Sequence, residues 1–190
     1  MTIGLFFGSF NPIHIGHLII AQTMINDAPL DEVWFIVSPL NPLKDSNSLI
    51  HHFDRIDMVE LAIEGNDRLK VSDIEFNLPQ PSYTINTLVH ISEKYSNHQF
   101  QLIIGEDNLE NFHKWKNYEQ ILKEYGLLVY ARKGSDGEKY SQYPNVKFVD
   151  APLINISATY IRKKIHQQKS IIYLVPEKVE DYIRERRLYL

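Results

Sequence analysis

The sequence predicts an α/β fold in which a mostly parallel, doubly wound sheet carries helices on both faces. Short apolar runs without helical spacing, the first at residues 3–7, alternate at least four times with segments of helical spacing. Such alternation implies parallel strands joined by right-handed helical crossovers. A length of 190 residues, with 44% hydrophobic and 23% charged residues, suits a single core. We therefore expect one domain over residues 1–190.

Each element follows from a local pattern. Strands are predicted at the short apolar runs, residues 3–7, 33–37, 71–76, 101–104, 127–131 and 146–149. The longer helices are predicted from Ile15 to a stop at Asn26, around Ile56 up to Gly65, and after a cap at Ser82 or Thr84. Short helices are expected at 108–112 and 118–123, and two final helices follow a Ser157 cap and Pro176. Ligands of such a Rossmann-like sheet bind beyond the carboxyl ends of its strands, so function is expected in the loops there.

Composition excludes several classes of function. A net charge of −4 argues against general binding to nucleic acid or to an anionic membrane, because both depend on excess Lys and Arg. The absence of cysteine removes disulfides, thiolate nucleophiles and Cys-based metal sites. The N-terminus lacks a basic region before its apolar stretch, and no apolar run is long enough to cross a bilayer. We expect a cytoplasmic protein that holds any anion at a local site; a homo-oligomer is left open.

Chemistry concentrates in the segment GSFNPIHIGH, which leads from the first strand into the first helix. Gly8 and Ser9 have little or no side chain, so backbone N–H groups can approach an anion closely. His14 and His17 are three residues apart in the first helical turn, so both imidazoles face the same way beside the positive end of the helix dipole. Gly16 leaves room for a ligand or a neighbouring strand. This pattern predicts a phosphate site.

The histidine pair has two other interpretations, a structural role and a metal site. Two histidines near a helix start are often ordinary surface or core residues. A metal site would need a third ligand, and the H-E-x-x-H framework is missing. Neither a P-loop nor a G-x-G-x-x-G motif occurs. The combination of strand, Gly-Ser, Asn-Pro turn and helix N-terminus nevertheless favours phosphate binding.

The segment resembles the signature G-x-F-x-P-x-H-x-G-H of the nucleotidyltransferase superfamily, and its His-Ile-Gly-His also matches class I aminoacyl-tRNA synthetases. Those synthetases carry a K-M-S-K-S loop and a large tRNA-binding region, and this sequence has neither. Further segments resemble bacterial nicotinate mononucleotide adenylyltransferases, in the same order, along nearly the whole chain: SPLNPLK (38–44), RIDM (55–58), PSYTINTL (81–88), IIGED (103–107) with Trp115, ISATYIR (156–162) and YLVP (173–176).

The resemblance implies that the 5′-phosphate of nicotinate mononucleotide attacks the α-phosphorus of ATP, giving deamido-NAD and pyrophosphate. By this resemblance the catalytic residues would be His14, His17, Lys44 and Arg162, acting on phosphates and on the departing pyrophosphate. ATP would be bound by Gly8, Ser9, Phe10, His17, Gly105, Asp107, Ile156, Ser157 and Arg162. The C-terminal helices from about residue 157 would complete this ATP site.

The resemblance assigns the mononucleotide to Ser9, Lys44, Tyr83, Thr84 and Trp115, with the indole stacked on the nicotinate ring. Several of these assignments have structural alternatives: a solvated loop lysine for Lys44, an ordinary helix-face charge for Arg162, a helix cap for Asp107 and core packing for Trp115. The sequence departs from the family at Asn86, where Asp is usual, and at Leu43, where His is frequent.

A divalent cation, Mg²⁺, is expected to bind mainly through ATP oxygens and water, so no protein metal ligands are assigned. Two other functions stay open. Another branch of the superfamily, such as pantetheine phosphate adenylyltransferase, would use the same histidines with a different acceptor pocket. A nucleotide-sensing module would keep the fold without turnover. The turn at residues 133–137 could suggest a nucleic-acid loop, but a connection between strands is the simpler interpretation.

Overall fold

The computed structural model describes residues 1–39, 49–109, 111–130, 140, 143–152 and 154–190. Its centre is a six-stranded sheet with the strand order β3-β2-β1-β4-β5-β6, in which every neighbouring pair is parallel. The strands are β1 (Thr2–Gly8), β2 (Glu32–Val37), β3 (Leu69–Ser72), β4 (Gln99–Gly105), β5 (Leu127–Tyr130) and β6 (Val146–Val149). The predicted doubly wound, parallel α/β fold is confirmed.

Seven α-helices lie in these described ranges: α1 (Ile15–Asp27), α2 (His52–Ile63), α3 (Thr84–Lys94), α4 (Glu106–Leu109), α5 (Tyr118–Glu124), α6 (Ala158–His166) and α7 (Glu177–Glu185). Two short 3₁₀ helices add Ile74–Asn77 and Phe112–Lys114. None of the helices in the described part of the chain combines the length and hydropathy needed to span a bilayer.

Alternate side chains of the central strands enter two separate hydrophobic clusters, one on each face of the sheet. In β1, Phe6 belongs to the first cluster, whereas Ile3 and Leu5 belong to the second. Helices α1, α2, α6 and α7 contribute to the first cluster, and α3, α4 and α5 contribute to the second. Because strands buried on both faces need apolar residues at every position, they read as continuous apolar runs in the sequence.

Two local predictions are wrong. The strand predicted at 71–76 ends at Ser72, because the Ser72 hydroxyl accepts the N–H of Ile74 at 3.3 Å and the chain turns into a 3₁₀ helix. Neither Ser82 nor Thr84 caps α3; Tyr83 is the cap residue, and its side chain makes no capping bond. The predicted Ser157 cap of α6 is confirmed, since its hydroxyl accepts the Tyr160 N–H at 3.2 Å. The turn at 133–137 lies outside the described residues.

Candidate active site

The site lies where the winding of the sheet reverses. The chain leaves β1 to build β2 and β3 on one side, and then crosses to β4, β5 and β6 on the other. The carboxyl ends of β1 and β4 are therefore adjacent, with the β1–α1 loop above one and Gly105 at the other. A crevice at such a switch point is where ligands of open parallel sheets bind.

The two histidines of the signature are stacked against each other. Their ring centroids are 3.7 Å apart with an interplanar angle of 20°. His14 is the cap residue of α1 and is buried, whereas His17 in the first turn is half-buried. The His14 backbone N–H donates to Nδ1 of His17 at 3.2 Å. An Nδ1 that accepts this bond carries no proton, so the neutral His17 ring bears its N–H at Nε2, on the opposite side of the ring.

The β1–α1 loop is held from below by an aromatic ring. Phe10 has a left-handed backbone with φ of 44° and is only 2% exposed. Its ring packs edge-to-face against His17 at 5.1 Å and against Phe35 at 5.3 Å. A Cβ on Gly8 would lie 2.7 Å from this ring. The absence of a side chain at Gly8 therefore makes room for the Phe10 ring.

Gly16 and the start of α1 also differ from the simple expectation. A Cβ on Gly16 would lie 3.1 Å from the His14 imidazole, so the missing side chain makes room for that ring. The N–H of Ile15, the first residue of α1, donates to the carbonyl of Leu174 at 3.0 Å. One donor of the helix N-terminus is thus occupied by the C-terminal YLVP segment.

Arg162 reaches this loop from α6. Its Nη1 donates to the Asn11 carbonyl at 2.8 Å, and its Nη2 donates to the Thr159 hydroxyl at 3.3 Å. Ser157 caps the helix on which Arg162 lies, and the half-buried Ile156 packs against the first hydrophobic cluster. These contacts bring the guanidinium to the histidine-bearing loop, as a phosphate-binding role requires.

Gly105 and Asp107 lie together at the end of β4. A Cβ at Gly105 would collide with the Asp107 carboxylate and lie 3.0 Å from the Tyr130 hydroxyl. Asp107 belongs to the four-residue helix α4. The glycine therefore accommodates two polar side chains beside the crevice.

The three residues assigned to the mononucleotide base, Tyr83, Thr84 and Trp115, lie on two segments that contact each other. Tyr83 and Thr84 begin α3, and the ammonium group of Lys116 lies 4.5 Å from the centroid of the exposed Tyr83 ring. This contact joins the start of α3 to the segment that carries Trp115. The indole is half-buried, with its centroid 5.2 Å from that of Phe112.

Two buried charged residues that the sequence analysis did not assign support these loops. Arg55 on α2 is 1% exposed, and its Nη1 donates to the carbonyls of Ser9 and Ser38, each at 2.7 Å. It thereby links the loop after β1 to the loop after β2. Burial lowers the pKa of Arg55, and nearby Tyr189 opposes this shift. Arg55 begins the RIDM segment of the family resemblance, but the sequence did not indicate its contacts.

Glu75 is the second of these buried residues, and it is 3% exposed in the 3₁₀ helix. Its Oε1 accepts the Thr87 hydroxyl of α3 at 2.7 Å. Burial raises the pKa of Glu75, while hydrogen bonds with Thr87, Ser38 and Ser82 oppose that rise. These bonds tie the end of β2 to the segment that precedes Tyr83.

Lys44 and Leu43 lie outside the described residues, so the structure adds nothing on either. Within the ranges that the structure does describe, no group of three or more His, Cys, Asp or Glu side chains could hold a metal ion.

Comparisons with known proteins show the family of the chain. Residues 5–164 match the cytidylyltransferase-like family. The chain is 58% identical over 189 residues to the probable nicotinate-nucleotide adenylyltransferase of Cytophaga hutchinsonii, covering 100% of this chain and 98% of that protein. It is 49% identical over 191 residues to the protein of the same description from Flavobacterium johnsoniae, covering 100% and 99%.

Among solved structures, the nicotinic acid mononucleotide adenylyltransferase of Plasmodium falciparum, in complex with NaAD, superposes with a TM-score of 0.82 at 20% identity, covering 99% of this chain and 97% of that one. That likeness establishes the fold. The chain belongs to the cytidylyltransferase-like family and, within it, to the nicotinate-nucleotide adenylyltransferases. It is accordingly a nucleotidyltransferase enzyme.

Proposed function

We propose that this enzyme transfers the adenylyl group of ATP to nicotinate mononucleotide, giving deamido-NAD and pyrophosphate in NAD biosynthesis. The observation that carries the proposal is the stacked histidine pair beyond β1, in a chain that is 58% identical over its whole length to a protein of that description. The half-buried His17 ring offers an Nε2–H donor at the switch point of the sheet.

The reaction needs alignment and charge stabilisation more than acid or base chemistry. The attacking 5′-phosphate is an anion at neutral pH, so no general base is required. Negative charge moves from the α-phosphate toward the departing pyrophosphate during transfer. Fixed donors lower the barrier by stabilising this charge where it develops. This explains why the candidate residues are N–H donors rather than nucleophiles.

Each donor has a role in this scheme. His17 donates from Nε2 to the α-phosphate, and the stacked His14 ring faces the same phosphates. Arg162 supplies positive charge next to the Asn11 turn, and Lys44 supplies a second charge toward the pyrophosphate. The backbone of Gly8 to Phe10 completes the ATP site, together with Ile156 and Ser157 at the start of the C-terminal helices. Gly105 and Asp107 contact the ribose hydroxyls.

The mononucleotide occupies the side of the crevice near α3. Trp115 stacks on the nicotinate ring with the face that does not contact Phe112. Tyr83 and Thr84 present donors to the ring carboxylate, and Ser9 with Lys44 contacts the 5′-phosphate. The half-site is thus formed from four separate segments of the chain.

Mg²⁺ is proposed to enter with ATP. It prefers oxygen ligands in octahedral geometry and usually retains several waters. The described part of the site offers two imidazoles and a guanidinium rather than a group of carboxylates. That donor set fits a cation held by triphosphate oxygens, whose charge it would partly neutralise, with no residue of the chain assigned as its ligand.

The test is pyrophosphate release by the purified chain with ATP, Mg²⁺ and one acceptor at a time. Nicotinate mononucleotide, nicotinamide mononucleotide and phosphopantetheine are compared through kcat/KM. Turnover with nicotinate mononucleotide at the highest kcat/KM supports the proposal. Turnover only with phosphopantetheine would reassign the acceptor, and tight ATP binding without pyrophosphate from any acceptor would indicate a nucleotide sensor.

A further inference from the structure

The C-terminal segment returns to the loop that carries the histidines. After α7 the chain closes on the helix end, where the Leu188 N–H donates to the Ile183 carbonyl at 3.0 Å. Tyr189 follows in a left-handed backbone conformation with φ of 64°. Its hydroxyl donates to Oδ1 of Asn11 at 2.9 Å, across 178 residues of sequence. The penultimate residue of the chain thus contacts the turn at the start of the chain.

The Tyr189 hydroxyl keeps its proton under all ordinary conditions. Burial raises the pKa of Tyr189, and nearby Asp54 raises it further, whereas the charges of Arg162 and Arg55 act in the opposite direction. Because the net shift is upward, the phenol is a neutral donor. Its neighbours also locate the ring: it lies close to both arginines that donate to the histidine-bearing loop.

Asn11 is the point where three distant segments converge. Its Oδ1 accepts the Tyr189 hydroxyl and also the Ile50 N–H, the latter at 3.4 Å, and its backbone carbonyl accepts from Arg162. Asn11 is 2% exposed. The same turn leads within three residues to His14, whose N–H in turn orients His17. Asn11 is therefore fixed by three contacts just before the histidine pair.

We propose that Tyr189 is a positioning residue for the reaction, acting through the Asn11 side chain to fix the turn that aligns His14 and His17. This inference rests on the proposed function. Loss of one neutral hydrogen bond corresponds to roughly a fivefold to tenfold change in rate when the bond is needed only for alignment.

Tyr189→Phe keeps the ring and removes only the hydroxyl. We expect kcat for pyrophosphate formation to fall about fivefold to tenfold. The KM for nicotinate mononucleotide should change less than about twofold, because the residues assigned to its ring, Tyr83, Thr84 and Trp115, lie on other segments than the β1–α1 loop that carries Asn11. Tyr182→Phe is the matched control. It removes a hydroxyl that lies 3.0 Å from Asp54 and 2.7 Å from Asp57, in the contact between α2 and α7, and it leaves the bond to Asn11 in place.

The control should lower the melting temperature at least as much as Tyr189→Phe while leaving kcat near the wild-type value. Wild-type kcat in Tyr189→Phe, or an equal loss in both variants, would overturn the proposal. A second readout is the pair Asn11→Ala and Asn11→Ala/Tyr189→Phe. If Tyr189 acts through Asn11, the double variant has the kcat of Asn11→Ala alone; a further fivefold loss contradicts the proposal.

Failure of the proposed function is recognised separately. If the wild-type chain makes no pyrophosphate with any acceptor, the function is wrong, and the Tyr189 inference is then tested by calorimetric titration with α,β-methylene-ATP. Binding weakened in Tyr189→Phe but not in Tyr182→Phe would support the positioning of the phosphate loop. Equal binding by both variants would exclude it.

Discussion

Replacement of His17 by Ala separates two effects that the structure assigns to one side chain. His17 accepts the N–H of His14 at Nδ1, which satisfies a donor at the start of α1. It also presents Nε2–H on the opposite side of the ring, toward the phosphate in the proposed mechanism. The first contact contributes to stability, and the second contributes to the rate.

The magnitudes of the two losses differ. Removal of an N-terminal capping interaction costs about 1 kcal/mol of folding free energy, which lowers the melting temperature of a chain of this size by about 2–4 °C. Removal of one donor to charge that develops in the transition state costs about 3 kcal/mol, or more than a hundredfold in kcat. We therefore expect His17→Ala to remain folded at 25 °C and to lose at least a hundredfold in kcat.

Pyrophosphate release and thermal unfolding measure the two effects independently, and His17→Asn is the matched control. The Asn carboxamide oxygen can accept the His14 N–H, but the shorter side chain cannot reach the position of Nε2. We expect this variant to recover most of the melting temperature and little of the kcat. A kcat within about threefold of wild type in His17→Ala, or recovery of kcat in His17→Asn, would refute the phosphate-donor role.

Further predictions concern residues around the pair. Trp115→Ala should raise the KM for nicotinate mononucleotide more than it changes kcat, because it removes stacking without altering the histidine-bearing loop. An unchanged KM and kcat would indicate that Trp115 serves core packing only. Gly8→Ala places a methyl group 2.7 Å from the buried Phe10 ring, and should lower both kcat and the free energy of unfolding, the latter by about 1–3 kcal/mol in urea titration; wild-type stability would contradict the packing. Burial raises the pKa of Glu75 above its ordinary value of 4.5, so the native state binds the carboxyl proton more tightly than the unfolded state does. This tighter binding stabilises the native state at low pH, and the stabilisation is lost as pH rises from 4.5 through the raised pKa. Glu75→Gln should therefore gain stability relative to wild type with increasing pH over that range, whereas a difference in melting temperature that is constant with pH would disprove the assignment.

The strands could be predicted because burial on both faces of a parallel sheet requires continuous apolar runs in the sequence. Residues 33–37 are all apolar where β2 pairs with its neighbours, and in β6 the two terminal valines, Val146 and Val149, are buried. The spacing of His14 and His17 predicted that both imidazoles face the same way, and the two rings are stacked, with His14 as the cap residue just before α1. Predictions succeeded where the relevant contact lies within one element, or where a whole strand contributes to it.

Contacts between distant residues could not be predicted in the same way. Arg55 donates to a carbonyl 46 residues away, and Tyr189 donates to an amide 178 residues away, so neither leaves a periodic signal. Gly8 and Gly16 show the same limit of prediction from the sequence. A small residue at Gly8 or Gly16 signals that space is needed, but the sequence does not say whether a ligand, a phenyl ring or an imidazole fills it.

The buried arginine also determines how the loop presents its amides. In a trans peptide the C=O and N–H point in opposite directions. Because the Ser9 carbonyl accepts from Arg55, the N–H of Phe10 in the same peptide unit points away from α2. Arg55 therefore orients the Phe10 N–H of the histidine-bearing loop without lying in the site itself.

The same arrangement bears on how a chain with a net charge of −4 would bind the triphosphate of the proposed reaction. The anion responds to the local field rather than to the sum of charges. Two guanidinium groups, those of Arg55 and Arg162, donate to two carbonyls of the histidine-bearing loop, at Ser9 and Asn11. Both lie close enough to Tyr189 for their charges to oppose the upward shift of its pKa. Each of these carbonyls has its negative end turned toward positive charge, and the N–H of Phe10, in the same peptide unit as the Ser9 carbonyl, points the opposite way. Positive charge beside the loop therefore favours the proposed binding of a phosphate by the β1–α1 segment, and acidic residues farther away have little effect because salt screens their charges beyond about 8–10 Å.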